Sequence, residues 1–212
     1  MQTLAMPLLT KPQVFIIESL TLKDEQLKRQ EGKILSRMLR LMEKRETKYY
    51  YIRTERELDK IIKIFGKSKF RFLHISCHAD REGIATTLDN ISYESLGKKL
   101  APHLKGRRVF VSACAMANPN CAEALLLNTG CNSLIGPAKR INFDDSAAFW
   151  VSFYHLMFKH DQGKMQHSKL NTYVRELARL FGERFNYYRK DENDKGYVLI
   201  NKPKPKTVTE AT

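Results

Sequence analysis

Short apolar runs alternate along this chain with longer stretches whose apolar residues recur every third or fourth position. Gln13-Val14-Phe15-Ile16-Ile17-Glu18-Ser19, directly after Pro12, is apolar on both alternating faces and reads as a buried strand. Asp24 to Lys44 follows with Leu27, Ile34, Leu35, Met38, Leu41 and Met42 at helical spacing among Lys, Arg, Glu and Gln, which predicts one long amphipathic helix. Tyr49 to Arg53 is a second strand by its aromatic and β-branched content, and Glu55 to Phe65 a second helix closed by Gly66. The pattern continues with a strand over Phe70 to His78, a helix over Ser92 to Leu104 with Ser92 as N-cap, and a strand over Arg108 to Cys114. A short helix from Cys121 to Asn128 and a strand from Cys131 to Pro137 come next. Asp144 and Asp145 open a helix to about Lys159 with hardly any polar face, so it must be deeply buried. A further helix spans Ser168 to Tyr188, Tyr197 to Ile200 is a last edge strand, and the Lys/Pro-rich residues 202–212 read as a disordered tail.

Strands alternating with helices imply an α/β fold, with a mostly parallel sheet covered on both faces and right-handed crossovers. No internal repeat or linker divides the chain, so residues 1–201 are expected to form one domain. Ligands of such sheets gather at the carboxyl ends of the strands.

Composition narrows the function. The chain is 42% hydrophobic and 28% charged, and no run reaches the roughly 18 apolar residues of a membrane span, which excludes a transmembrane helix and wholesale disorder. Met1 to Pro12 has no basic residue before its short apolar run, so no secretory signal is expected and the protein is placed in the cytoplasm. Cys77, Cys114, Cys121 and Cys131 are then expected to be reduced thiols. The net charge of +14 admits nucleic acid, an anionic membrane surface or an acidic partner. The excess is spread along the chain with no basic stripe of interleaved aromatics, which disfavours nucleic acid.

Two strands end in reactive side chains, the third in His78 and the fourth in Cys114. Neighbouring strands lie about 4.8 Å apart, so adjacency would bring an imidazole and a thiol to one carbonyl, as peptide-bond cleavage by a thiolate requires. His74, four residues before His78 and about 13 Å away, is expected to be a buried structural histidine, and Cys77 to face away from His78 into the core. Zinc ligation by His74, Cys77, His78, Cys114 and Cys121 is the rival, but no two of the cysteines stand in a C-x(2 to 4)-C pair, so no metal or cofactor is expected.

The segments Leu73-His74-Ile75-Ser76-Cys77-His78, Ile91-Ser92-Tyr93-Glu94-Ser95-Leu96 and Val109-Phe110-Val111-Ser112-Ala113-Cys114 resemble the caspase-like clan of cysteine peptidases, most of all CHAT domains, the bacterial relatives of caspase and separase. Ala122-Glu123-Ala124-Leu125-Leu126, Ser133-Leu134-Ile135-Gly136 and Asp145 through Phe153-Tyr154 continue the likeness. The resemblance implies a caspase-like three-layer sandwich with a six-stranded sheet, strand order 2-1-3-4 and two more strands beyond. It makes His78 the catalytic histidine, Cys114 the nucleophile, and the backbone N–H groups of Ala79 and Cys114 an oxyanion hole. The family's usual glycine after the histidine is Ala79 here, tolerated at negative φ and strained by about 1 kcal/mol or more at positive φ. Asp144 and Asp145 are candidates to bind a basic substrate residue, Lys139 and Arg140 to bind an acidic one, while helix capping is the plain role for the aspartates. Asp80 to Thr87 would form a wall of the cleft. By resemblance the chain is a cysteine endopeptidase acting on a partner protein, with a separate regulatory or sensor protein, and its expected role is release of a toxin or pore-forming protein in bacterial defence. The alternative is a non-catalytic interaction module for a protein or nucleic acid.

Overall fold

The computed structural model describes residues 10–161, 165–193 and 195–201. The tail at 202–212 and most of the segment read for a secretory signal lie outside them. Strands β1 (Lys11–Glu18), β2 (Lys48–Tyr51), β3 (Phe70–Ser76), β7 (Arg108–Ser112) and β8 (Ser133–Pro137) pair in parallel in the order β2-β1-β3-β7-β8. Strands β9 (Phe185–Lys190) and β10 (Tyr197–Leu199) extend the β8 edge antiparallel, giving a seven-stranded sheet. The order of the first four strands is the expected 2-1-3-4.

Helices cover both faces, which is why the strands are continuous apolar runs. Along β1, Phe15 and Ile17 join the core beneath α3 (Glu55–Lys67), α4 (Tyr93–Leu100) and α5 (Pro119–Leu126). Val14 and Ile16 enter the opposite core, under α2 (Glu31–Leu41), α6 (Phe143–Asp161) and α7 (His167–Leu180). The second core is aromatic: Phe110 packs against Trp150, Phe153 and Tyr154, with ring centroids 5.5–5.8 Å apart. The nearly all-apolar α6 is buried as expected, and local signals fix several helix starts. Thr54 and Glu57 form a capping box at α3, Ser92 caps α4, and Asn118 caps α5 with Pro119 in its first turn.

Four expectations are corrected. The long helix from Asp24 to Lys44 is two, α1 (Leu22–Gln26) and α2, broken where Lys28 takes a φ of +56°. The helix expected to reach Tyr188 ends at Leu180, because Gly182 turns the chain at φ +67° and the β-prone Phe-Asn-Tyr-Tyr becomes β9, hence seven strands and not six. Gly66 lies inside α3, at a spot where a Cβ would strike the His103 ring. The third and fourth strands stop two residues early, at Ser76 and Ser112, so His78 and Cys114 lie in the segments that follow them. From His78 the chain forms a separate antiparallel sheet of β4 (His78–Ala79), β5 (Gly83–Ala85) and β6 (Asn90–Ser92). Among the described residues, no helix is long and apolar enough to cross a membrane.

Candidate active site

The parallel register pairs Ser76 of β3 with Ser112 of β7, so the segments carrying Cys77-His78 and Ala113-Cys114 leave the sheet side by side at its carboxyl end. There they line one open cleft of about 730 Å³, with His78, Cys114, Cys77, Asp24 and Glu31 among its walls. Met116 N–H donates to the Ala113 carbonyl, closing a turn around Cys114 in which Ala115 has a φ of +53°. An alanine in the left-handed region carries strain of roughly 1–2 kcal/mol. Because β7 ends at Ser112, this turn carries Cys114 beyond the sheet to the cleft rim, half-buried, with its thiol 3.6 Å from the Ile141 carbonyl.

His78 is held on two sides. Its Nε2 lies 2.8 Å from Asp24 Oδ2, and its ring meets Phe143 edge-on at 5.7 Å between centroids. Asp24 also accepts from Thr21 Oγ1 at 2.6 Å and from Arg29 at 3.0 Å. Burial works against ionisation of this carboxyl, but the hydrogen bonds from Thr21, His78 and Arg29 outweigh it and hold Asp24 below the usual carboxylate range. An ionised Asp24 accepts the Nε2 hydrogen, which leaves Nδ1 of His78 as the nitrogen free to exchange a proton. Asp24 is not legible in the sequence as a partner of His78, because 54 residues separate the two and it stands at the start of a stretch with helical apolar spacing.

The cleft floor is acidic and buried. Glu31, only 4% exposed, accepts from Ser112 Oγ, which lies 2.5 Å from both carboxyl oxygens, while the Ser146 hydroxyl is 2.6 Å from that of Ser112. Desolvation pushes the Glu31 carboxyl up to about 8; Ser112 offsets this in part, and the neighbouring Glu18, also buried, adds to it. At neutral pH Glu31 is therefore mostly a neutral acid, which is how a carboxyl persists here without a cation.

The remaining predicted residues divide. Asp144 lines the cleft, but so does Arg140 of the opposite candidate pair. Asp145 accepts from Asn142 Nδ2 at 3.3 Å at the start of its own helix, and Lys139 pairs with Glu183 at 3.2 Å. Ala79 does not line this cleft: it borders an adjoining hollow of about 480 Å³ that His78 shares, walled by the β4–β5–β6 hairpin in which Asp80–Gly83 is the first turn. Its φ is not positive, so alanine replaces glycine there without strain. Asp80 N–H donates to Gly83 O, and antiparallel alternation then turns the Ala79 N–H away from β5. Among the described residues the Cys114 N–H donates to no backbone carbonyl. Cys77 packs half-buried against the core beneath α4 and α5, as expected, and also borders this cleft; burial raises its thiol to about 12. His74 is the expected structural histidine, fully buried with Nδ1 3.2 Å from Tyr154 Oη, and burial lowers it to about 3. All four cysteines are free thiols, and among the described residues no three His, Cys, Asp or Glu side chains converge on a metal site.

No family model and no curated protein matches this sequence. Solved structures do. The chain is similar to an inactive zymogen C11 protease from Parabacteroides distasonis, at 11% identity and a TM-score of 0.57 over 85% of this chain and 62% of that one. It is also similar to a secreted C11 cysteine protease from Bacteroides thetaiotaomicron bound to an irreversible peptide inhibitor, at 6% identity and a TM-score of 0.58, over 84% of this chain and 66% of that one. The chain thus spans a little under two thirds of the length of these neighbours. At such identities the likeness establishes the fold: this chain has the mixed α/β, caspase-like architecture of C11 cysteine proteases.

Proposed function

We propose that this protein is a cysteine endopeptidase of the caspase-like clan, with Cys114 as nucleophile, His78 as proton carrier and Asp24 as the group that orients His78. The observation that carries the reading is His78, fixed by Asp24 at 2.8 Å, on the wall of the cleft that Cys114 also lines. In the first step the Cys114 sulfur bonds to the substrate carbonyl carbon and its proton passes to His78 Nδ1. The tetrahedral oxyanion takes the Cys114 N–H, and the second donor we assign to it is the Ala79 N–H, which borders the adjoining hollow but turns away from β5. The C–N bond then breaks as His78 protonates the leaving amine, and a water deprotonated by His78 hydrolyses the thioester to restore the thiol.

The open, two-signed cleft suits a polypeptide in extended form. Asp144 is the carboxylate we assign to a basic residue of the substrate, whereas Asp145 serves its helix. The CHAT-like segments of the sequence favour a chain that works with a separate regulatory protein. A mixed peptide library, read by mass spectrometry, tests the function. The native chain is expected to cleave, Cys114→Ala and His78→Ala to lose cleavage while keeping the native circular dichroism spectrum, and Asp144→Asn to lose about tenfold in kcat/KM on Arg- or Lys-containing peptides alone. Native-level cleavage by either of the first two variants overturns the assignment.

A further inference from the structure

The stripe that sequence periodicity assigns to the core of the first long helix does not all reach it. On α2 the chain buries Leu35 and Leu39, while Ile34 is 49% and Leu41 78% exposed, with Met38 half-buried between them. These three positions recur at i, i+4 and i+7 and form a second apolar face on the same helix. Beside it, Met38, Leu41 and Met42 line an open groove of about 690 Å³ against Phe158 and Lys159 of α6. Lys44 closes one end, with Nζ 4.1 Å above the Phe158 ring.

The cations around the groove lack anions. Lys44 is half-buried, and among the described residues no carboxylate pairs with it or with Lys159. Burial lowers the Lys44 pKa, the response of an ammonium that has lost water without gaining a counter-charge. An apolar strip of helical period with unpaired ammonium groups at its edge is complementary to a segment carrying apolar residues on one face and carboxylates beside them.

The geometry points to this groove as the docking site for an acidic amphipathic segment of a partner protein. A second copy of the chain would bring +14 against +14. Residues 1–10 of this chain contain no acidic side chain and would leave Lys44 unpaired. A bilayer is flat, whereas the apolar residues here line a concavity between two helices. The groove lies at the far end of α2 from Glu31, about 15 Å along the helix from the cleft floor, so it stands whether or not the cleft is catalytic.

The test uses a fluorescein-labelled peptide of about five helical turns, with Leu at i, i+3, i+4 and i+7 and Glu at the exposed positions, beside a scrambled peptide of the same composition. Anisotropy is expected to show binding to the native chain at least tenfold tighter for the periodic peptide (roughly the effect of one interface hot spot). Leu41→Asp and Lys44→Glu should each lose that preference, and Lys63→Glu, on α3 across the sheet, should retain it. Leu41 and Lys63 are exposed, so neither change threatens folding. No binding, equal affinity for the scrambled peptide, or a preference that survives Leu41→Asp overturns the proposal. So does a Leu41-dependent dimer in sedimentation, or Leu41-dependent binding to vesicles of equal parts phosphatidylcholine and phosphatidylserine.

Discussion

At the scale of single residues, the cleft combines two acids that burial treats in opposite ways. Asp24 has donors on three side chains, one of them the Arg29 guanidinium, and stays ionised; Glu31 has only serine hydroxyls, from Ser112, Ser146 and Ser76, and stays mostly protonated. Asp24→Asn is predicted to lower kcat by about 10²-fold with KM little changed, because Asn cannot balance an imidazolium, and Asp24→Glu should recover part of the loss. Steady-state kinetics on the cleaved peptide checks both. Glu31 sets a pH dependence of folding. Its native pKa of about 8 lies above the ordinary 4.5, so between these values the folded state holds a proton that the unfolded state has released. Stability from this group is thus full below about pH 4.5 and declines as pH rises towards 8. Urea denaturation of the native chain should show that decline, and Glu31→Gln should flatten it; an equal slope in both would contradict the buried neutral acid. His78 and Cys114 were legible because each follows an apolar run that must end at the rim of a parallel sheet. Asp24 and Glu31 were not, since only the break at Lys28 turns them both towards the cleft, and one positive φ at a lysine leaves no mark in hydrophobic periodicity.

At the scale of elements, strands buried on both faces announced themselves; of the two antiparallel strands at the edge, β10 was legible at Tyr197 to Ile200 and β9 was not. Phe185 to Lys190 carries on the apolar spacing of α7, so periodicity ran through the turn that Gly182 makes; composition, with three aromatics in four residues, was the better guide. The β4–β5–β6 hairpin is short, and its single wall-building glycine, Gly83, packs against the Ile91 carbonyl in a way that sequence cannot register. Close helix approach is likewise invisible until folded. Gly97 sits inside α4, where alanine would raise helix propensity by about 1 kcal/mol. A Cβ there would lie 2.6 Å from the Ala124 carbonyl oxygen of α5, however, and overpacking of this kind destabilises by about 1–3 kcal/mol. Gly97→Ala is therefore predicted to lower the melting temperature, and a rise would show that α4 and α5 can separate. Phe110→Ala, which opens the aromatic core under α6, should cost about 3–5 kcal/mol in the same measurement.

At the scale of the molecule, the order of the parallel strands does the functional work. Pairing β3 with β7 brings His78 and Cys114, 36 positions apart in the chain, to one rim, and β1 on the other side of β3 leads into the segment that supplies Asp24. Both faces of the sheet are covered, so the carboxyl rim is where these polar side chains meet solvent. The spread of charge that argued against nucleic acid also has a local meaning, since unpaired cations collect beside the α2–α6 groove, at a distance from the cleft. The pairing of Cys114 with His78 is tested most directly by iodoacetamide alkylation followed by peptide mass spectrometry, which requires no substrate. Cys114 is predicted to be modified first among the four thiols, and His78→Ala to slow its modification by at least about tenfold. Labelling of Cys77 as fast as Cys114, or an unchanged Cys114 rate in His78→Ala, would contradict the pairing.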